Sequence, residues 1–191
     1  MKYKILEQLG NTGKEGTTYK VKFRGKYYAM KKFKKKKSIN MIVKEARLQH
    51  LASLKGISPK IKECNLDDKY IVMDLLDHNL FALLSKRSGK LSIQKQKEII
   101  QLLKLLDANN IFHGDPNPAN FMIKDGKLYI IDFGFSKEID KRLIKKLHTN
   151  TPNIDFMVLG FILKCKESFS NVNYSYLKKF ISPENILKFN L

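Results

Sequence analysis

The chain has 191 residues, 43% of them hydrophobic and 10% aromatic, a composition that fits one globular domain and excludes a disordered chain. Its two cysteines, Cys64 and Cys165, exclude a disulfide-rich scaffold or a cysteine-based zinc module and fit a reducing compartment; the apolar stretch 156–163 is too short to span a bilayer, and no apolar leader block follows the first residues. Net charge is +19, from 33 Lys and 4 Arg against 18 acidic residues; such a surface attracts nucleotides, nucleic acid, acidic proteins or anionic lipid, although a reader of base edges would spend more Arg and Lys-rich usage also follows from an AT-rich genome.

In chain order, residues 3–9, 17–23 and 26–32 carry the β-branched, aromatic and alternating residues of strands. Gly25 marks a hairpin between the last two. Residues 39–54 place Ile42, Ala46, Leu48, Leu51 and Leu54 near a helical period, and Gly56 and Pro59 stop that helix. Residues 70–76 form a short apolar strand. From about 79 onward helices take over. A long one opens at Leu91-Ser92 with Ser92 as N-cap, runs to Asn109, and buries Ile99, Leu102, Leu103 and Leu106. Residues 121–123 and 128–131 flank Asp125-Gly126, a second hairpin signal. Residues 138–147 and 154–164 read as two more helices. There is no internal repeat, and the one low-complexity run is Lys34–Lys37.

Five places carry chemistry. Gly10, Gly13 and Gly16 lie between two strands, where backbone N–H groups can approach phosphate oxygens without interference from a Cβ, or simply turn the chain. Ala29 and Lys31 share one strand face, fit to seat a flat base and a phosphate; equally, Lys31 begins a solvated basic run that reaches Lys37. Glu45, on the following helix, is either a partner for Lys31 or one more solvated carboxylate. His113-Gly114-Asp115-Pro116-Asn117-Pro118-Ala119-Asn120 is a loop stiffened by two prolines. In it Asp115 can accept a proton or orient a nucleophile, and Asn120 offers a hard neutral ligand to Mg²⁺. Asp132 ends an apolar strand and opens Asp-Phe-Gly; a carboxylate there needs a cation or donors unless it caps a solvated turn.

Glycine loop, Ala-x-Lys, helix Glu, His-x-Asp with Asn five residues later, then Asp-Phe-Gly: this order resembles the protein-kinase superfamily over roughly residues 3–164. The resemblance implies an α+β, bilobal kinase-like fold in one domain over 1–191, with a strand-rich N-lobe to about 75 and a truncated helical C-lobe from 76. It implies ATP and Mg²⁺ as cofactors. Lys31 would hold the α- and β-phosphates with Glu45 as its partner. Asp132 and Asn120 would bind metal, and Asp115 would be the catalytic base. Gly10, Gly13 and Gly16 would cover the phosphates. Ala29 and Met73 would line the adenine pocket, with backbone hydrogen bonds to the base from the hinge at Asp74–Leu76. Asp155 resembles the helix Asp that braces the catalytic loop.

The departures carry their own expectations. The glycine spacing is shifted, with Asn11 where the first glycine would fall, and Thr18 replaces the Val that packs on adenine. Gly114 stands in place of the catalytic-loop Arg that reads an activation-loop phosphate, which implies activity without that phosphorylation. Only 22 positions separate Asp132 from Ile154, there is no Ala-Pro-Glu, and 27 residues follow Lys164. This economy is similar to that of the RIO kinases, the kinase subunit of the KEOPS tRNA-modification complex, and small kinases of large DNA viruses. A minimal serine/threonine protein kinase acting on a protein substrate is therefore expected. The alternatives are an ATPase or switch subunit of a KEOPS-like assembly and a small-molecule phosphotransferase. An acidic protein or RNA partner is expected for the basic surface, no membrane span, and a location in cytoplasm or nucleus, or host cytoplasm for a viral source.

Overall fold

The computed structural model describes residues 2–170 and 172–191, and the chain divides into two compact units, Met1–Leu76 with Ile131–Gly134, and Asp77–Ile130 with Phe135–Leu191. The first unit is built on strands β1 (Lys4–Leu9), β2 (Gly16–Phe23) and β3 (Lys26–Phe33), helix α1 (Ile39–Leu54), and strands β4 (Ile61–Asn65) and β5 (Tyr70–Asp74). The strands form one antiparallel sheet in the order β1-β2-β3-β5-β4. Arg24 and Gly25 both take positive φ, the two-residue turn whose twist matches a hairpin, so Phe23 pairs with Lys26 and the β2–β3 register follows without a bulge.

Alternation splits the apolar side chains of this sheet. Tyr3, Val21, Met30, Tyr70 and Val72 pack on one face; Ala29, Phe33, Ile71 and Met73 pack on the other with Ile42 of α1. On the first face the hydroxyls of Tyr3 and Tyr70 donate to Glu63 at 2.9 and 2.8 Å. Ser38 caps α1 by accepting from the Met41 N–H. The buried side of α1 is Ile42, Glu45, Leu48, Gln49, Ala52 and Ser53. Leu51 and Leu54, expected on the buried stripe, are instead exposed. Polar residues hold the buried side there: Gln49 donates to the Pro59 carbonyl and Ser53 to the His50 carbonyl.

The second unit runs through β6 (His78–Asn79), α2 (Leu80–Lys86), α3 (Ile93–Ala108), β7 (Ile111–Phe112), β8 (Phe121–Lys124), β9 (Lys127–Ile130), β10 (Lys137–Glu138), α4 (Lys141–Leu147), α5 (Val158–Ser168) and α6 (Pro183–Lys188). Ser92 caps α3 through the Lys95 N–H, and Ile99, Leu102, Leu103 and Leu106 are buried as their spacing predicts. The Asp125-Gly126 turn, again with two positive φ values, joins β8 to β9. Phe121 meets Phe161 of α5 edge-on at 5.2 Å. Gln96, fully buried on α3, accepts from the N–H groups of Tyr176 and Leu177 and donates to the Asn173 carbonyl, which fastens the C-terminal segment to that helix.

Two expected helices differ from their sequence ranges. Glu138 belongs to β10, paired with Ile111, and the helix begins only after Asp140, whose carboxylate accepts from the Leu143 N–H. The segment expected as a helix from Ile154 starts with a wider π-helical turn, Asn153–Met157, before α5. Among the described residues no helix is long and apolar enough to cross a membrane, and both cysteines are free.

Candidate active site

In the first unit, Lys31 lies on β3 two residues from Ala29, on the sheet face that α1 covers. Its Nζ sits 2.6 Å from Glu45 Oε1 and 2.7 Å from Asp132 Oδ1. Glu45 is there because it falls three residues after Ile42 and three before Leu48, on the buried side of the helix; its side chain is 1% exposed. Asp132 has φ +65°, a region non-glycine residues seldom occupy and one associated with functional sites, and its side chain is 39% exposed. Burial works against the Lys31 ammonium, but the carboxylates of Glu45 and Asp132 outweigh it and hold its pKa above the ordinary lysine value. Lys31 is therefore a cation at neutral pH, with one deeply buried partner and one that reaches solvent.

The remaining candidates of this unit lie on its strands or in the segments that join them. Ala29 stands directly opposite Met73 in the β3–β5 register, and both are buried. The Asp74 N–H donates to the Lys60 carbonyl at 3.0 Å and its carboxylate pairs with Lys62 at 2.9 Å, where the chain before β4 runs alongside it. Leu76 is buried at the end of the segment. Gly10 and Gly13 lie in the β1–β2 connection, and Gly13 closes a turn by donating to the Gly16 carbonyl at 2.9 Å. Gly16 is required by close approach, since a Cβ there would run into the Lys32 carbonyl of β3.

In the second unit, the Asp115 carboxylate is held at both oxygens, accepting from the Asn117 N–H at 3.2 Å and from Asn120 Nδ2 at 2.9 Å. With the amide nitrogen of Asn120 committed to Asp115, its oxygen is the atom available to a hard cation. His113 is fully buried; its ring Nδ1 meets the Asp115 carbonyl at 3.1 Å, and its own carbonyl accepts from Ser136 Oγ at 3.0 Å. Gly114 has φ +79°, and a Cβ would press on the Phe135 carbonyl at 3.0 Å, so the glycine that replaces an expected Arg is imposed by the backbone here.

The chain matches the family model for the protein kinase domain over residues 3–157. It belongs to the protein kinase family. The serine/threonine-protein kinase MPS1 of Encephalitozoon cuniculi is 30% identical over 71% of this chain and 24% of that protein; the one of Saccharomyces cerevisiae is 30% identical over 79% and 22%. A probable serine/threonine-protein kinase of Dictyostelium discoideum is 32% identical over 74% of this chain and 30% of its own length. The chain thus spans less than a third of each of these relatives.

Against the kinase pattern, three features escaped sequence reasoning. The expected brace, Asp155, is exposed and accepts from the hydroxyls of Thr149 and Thr151. Asn153 does the bracing: its Oδ1 accepts from the His113 N–H at 3.0 Å, and its Nδ2 donates to Asp107 Oδ1 and to the Ile111 carbonyl, each at 2.7 Å. A π-helical turn opens at Asn153, and it is Asn153, not Asp155, that meets the His113 N–H. Asp107, on α3, also accepts from the N–H groups of Asn153 and Ile154; burial pushes its pKa up against those bonds. Gly160 packs beneath Pro116, where any Cβ would collide with the proline ring. Lastly, Lys37 is not the end of a solvated run. Lys34, Lys35 and Lys36 are exposed, but Lys37 is buried and paired with Glu15 and Glu45.

Proposed function

We propose that this chain is an ATP- and Mg²⁺-dependent protein kinase that phosphorylates serine or threonine hydroxyls of protein substrates. The observation that carries the reading is Lys31, kept charged between buried Glu45 and part-exposed Asp132. That arrangement leaves a rigid ammonium for the α- and β-phosphates and a carboxylate for a metal ion. Support for the acceptor class comes from the serine/threonine kinases to which the chain is similar.

The donor set fits the cofactors. Lys31, Lys37, Glu15, Glu45 and Asp132 form a connected group with two positive and three negative charges. The excess negative charge and the hard oxygens of Asp132 suit a divalent cation, and the Asn120 oxygen is the same kind of ligand. Mg²⁺ held by Asp132 and Asn120 would neutralise phosphate charge as it moves. Lys31 would hold the phosphates, the glycine loop would cover them, and Ala29 and Met73 would line the base. Asp115, oriented by Asn117 and Asn120, takes the proton of the acceptor hydroxyl as its oxygen bonds to the γ-phosphorus and ADP leaves. Gly114 carries no guanidinium, so the loop needs no phosphate on an activation segment to be ordered. The two free thiols fit work in a reducing compartment, cytoplasm or nucleus.

The test is transfer of labelled γ-phosphate, with Mg²⁺, to basic and acidic general protein substrates and to the chain itself. The wild type should label protein on serine or threonine, and Asp132→Ala should not. Phosphate release without protein labelling, or labelling only of a small hydroxyl compound, would overturn the proposal, and undiminished labelling by Asp132→Ala would overturn the metal assignment.

A further inference from the structure

Lys37 ends a run of four lysines, and its three neighbours extend into solvent. Its own side chain turns inward and is 4% exposed. A buried ammonium is costly, and a lysine stem is long enough to carry the charge to water, so an inward lysine is held by what it meets. It meets Glu45 Oε2 at 2.6 Å and Glu15 Oε2 at 2.6 Å, with the Phe33 ring 4.7 Å away.

Glu45 therefore has a different ammonium on each oxygen: Lys31 on Oε1 and Lys37 on Oε2. A carboxylate held at one oxygen can turn about its last torsion, which has a broad profile. Held at both, it presents a fixed plane to Lys31. Lys37 is itself anchored at its main chain. Its N–H donates to the Lys34 carbonyl at 3.0 Å, its carbonyl accepts from Lys69 Nζ at 2.9 Å, and the next residue is Ser38, the cap of α1. Glu15, the other partner, is tied to the same turn by its carbonyl, which accepts from the Lys34 N–H at 2.9 Å. The turn between β3 and α1 thus sets where Glu45 points, and Glu45 sets where Lys31 points.

We propose that Lys37 is a positioning residue for nucleotide phosphates, acting on Lys31 through Glu45. This rests on the reading of the chain as an ATP-dependent kinase. It gives Glu45 a fixed orientation from within the β3–α1 turn.

The experiment measures affinity for Mg·ATP by calorimetry, together with the KM for ATP and for a protein acceptor. Lys37→Gln, which keeps length and a donor but removes the charge, should weaken Mg·ATP about tenfold, the size of one hydrogen bond lost through a loosened Lys31, and leave the acceptor KM in place. Lys37→Arg should stay within about threefold of wild type. In a Glu45→Gln background, Lys37→Gln should add less than about twofold, because the residue through which it acts is already altered. Should Lys37→Gln not fold, the pair Glu15→Gln with Lys37→Gln removes opposite charges together and is read in its place, with the same expected loss. Wild-type affinity in the charge-removed variant, multiplying losses in the Glu45→Gln background, or an equal rise in the acceptor KM would each overturn the proposal. A wild type that neither binds nor spends ATP would instead overturn the kinase reading on which it rests.

Discussion

Replacing Asn153 with Asp would put a carboxylate against the His113 N–H, where the resemblance to kinases led us to expect one. In this chain the change should be harmful. Asn153 Nδ2 now donates to Asp107 Oδ1 at 2.7 Å, and Asn153 is fully buried. The substitution deletes that donor and sets two carboxylates against each other. Two unit charges about 4 Å apart in an effective dielectric near 20 repel by about 4 kcal/mol. For a chain of this size that lowers the melting temperature by roughly 8–16 °C. The sign with pH is definite. The pair binds a proton more readily folded than unfolded, because burial already raises the Asp107 pKa and the new charge raises it further. The loss is therefore full at neutral pH and shrinks as pH falls toward the ordinary carboxylate range. Thermal melts followed by circular dichroism at neutral and mildly acidic pH measure this. Asp107→Asn combined with Asn153→Asp should recover a large part of the loss at neutral pH, since the amide introduced on α3 would restore a donor between the two side chains. A single Asn153→Asp variant that melts like wild type at neutral pH, or a double variant no better than the single, would refute the bracing scheme.

Asp115→Asn should lower kcat by about 10²-fold or more while nucleotide affinity is kept, as for a lost base or orienting group; steady-state kinetics at saturating ATP checks it. Gly16→Ala should destabilise the first unit by about 1–3 kcal/mol through its collision with the Lys32 carbonyl, read from denaturant midpoints. Stability should fall as pH rises above about 10. Burial and the bonds to Glu63 push Tyr3 and Tyr70 up to about 12, and Lys31 is also raised, so all three keep protons in the folded chain that the unfolded chain has already lost. Tyrosinate absorbance from Tyr3 and Tyr70 should therefore appear with unfolding and not before it.

The parts of the structure that local chemistry decides could be read directly from the chain. Arg24-Gly25 and Asp125-Gly126 carry their turn type in two residues, and α3 has both a capping Ser92 and a clean apolar stripe. Lys31, Glu45 and Asp132 were legible as candidates from their order along the chain, and the structure brings these three together. What stayed hidden depends on partners distant in sequence. Nothing local separates Lys37 from Lys36; only Glu15 and Glu45 turn it inward. The buried side of α1 departs from the apolar pattern at Leu51 and Leu54 because Glu45, Gln49 and Ser53 are polar, yet each finds a hydrogen-bond partner there. Asp155 is the brace that the resemblance implies, but Asn153, the residue that opens the wide helical turn, takes the task through partners on α3 and in the catalytic loop. The strand β4 was missed because its exposed positions carry Lys62 and Cys64, which gives a weak alternation over five residues.

The most direct measurement is the binding of ATP with Mg²⁺ to wild type and to Lys31→Met, titrated calorimetrically on samples shown by circular dichroism to be folded. The wild type should bind saturably, and the variant should lose affinity on the order of 100-fold, the size of truncating one member of a buried charge pair. Equal affinity in the two proteins would contradict the role given to Lys31.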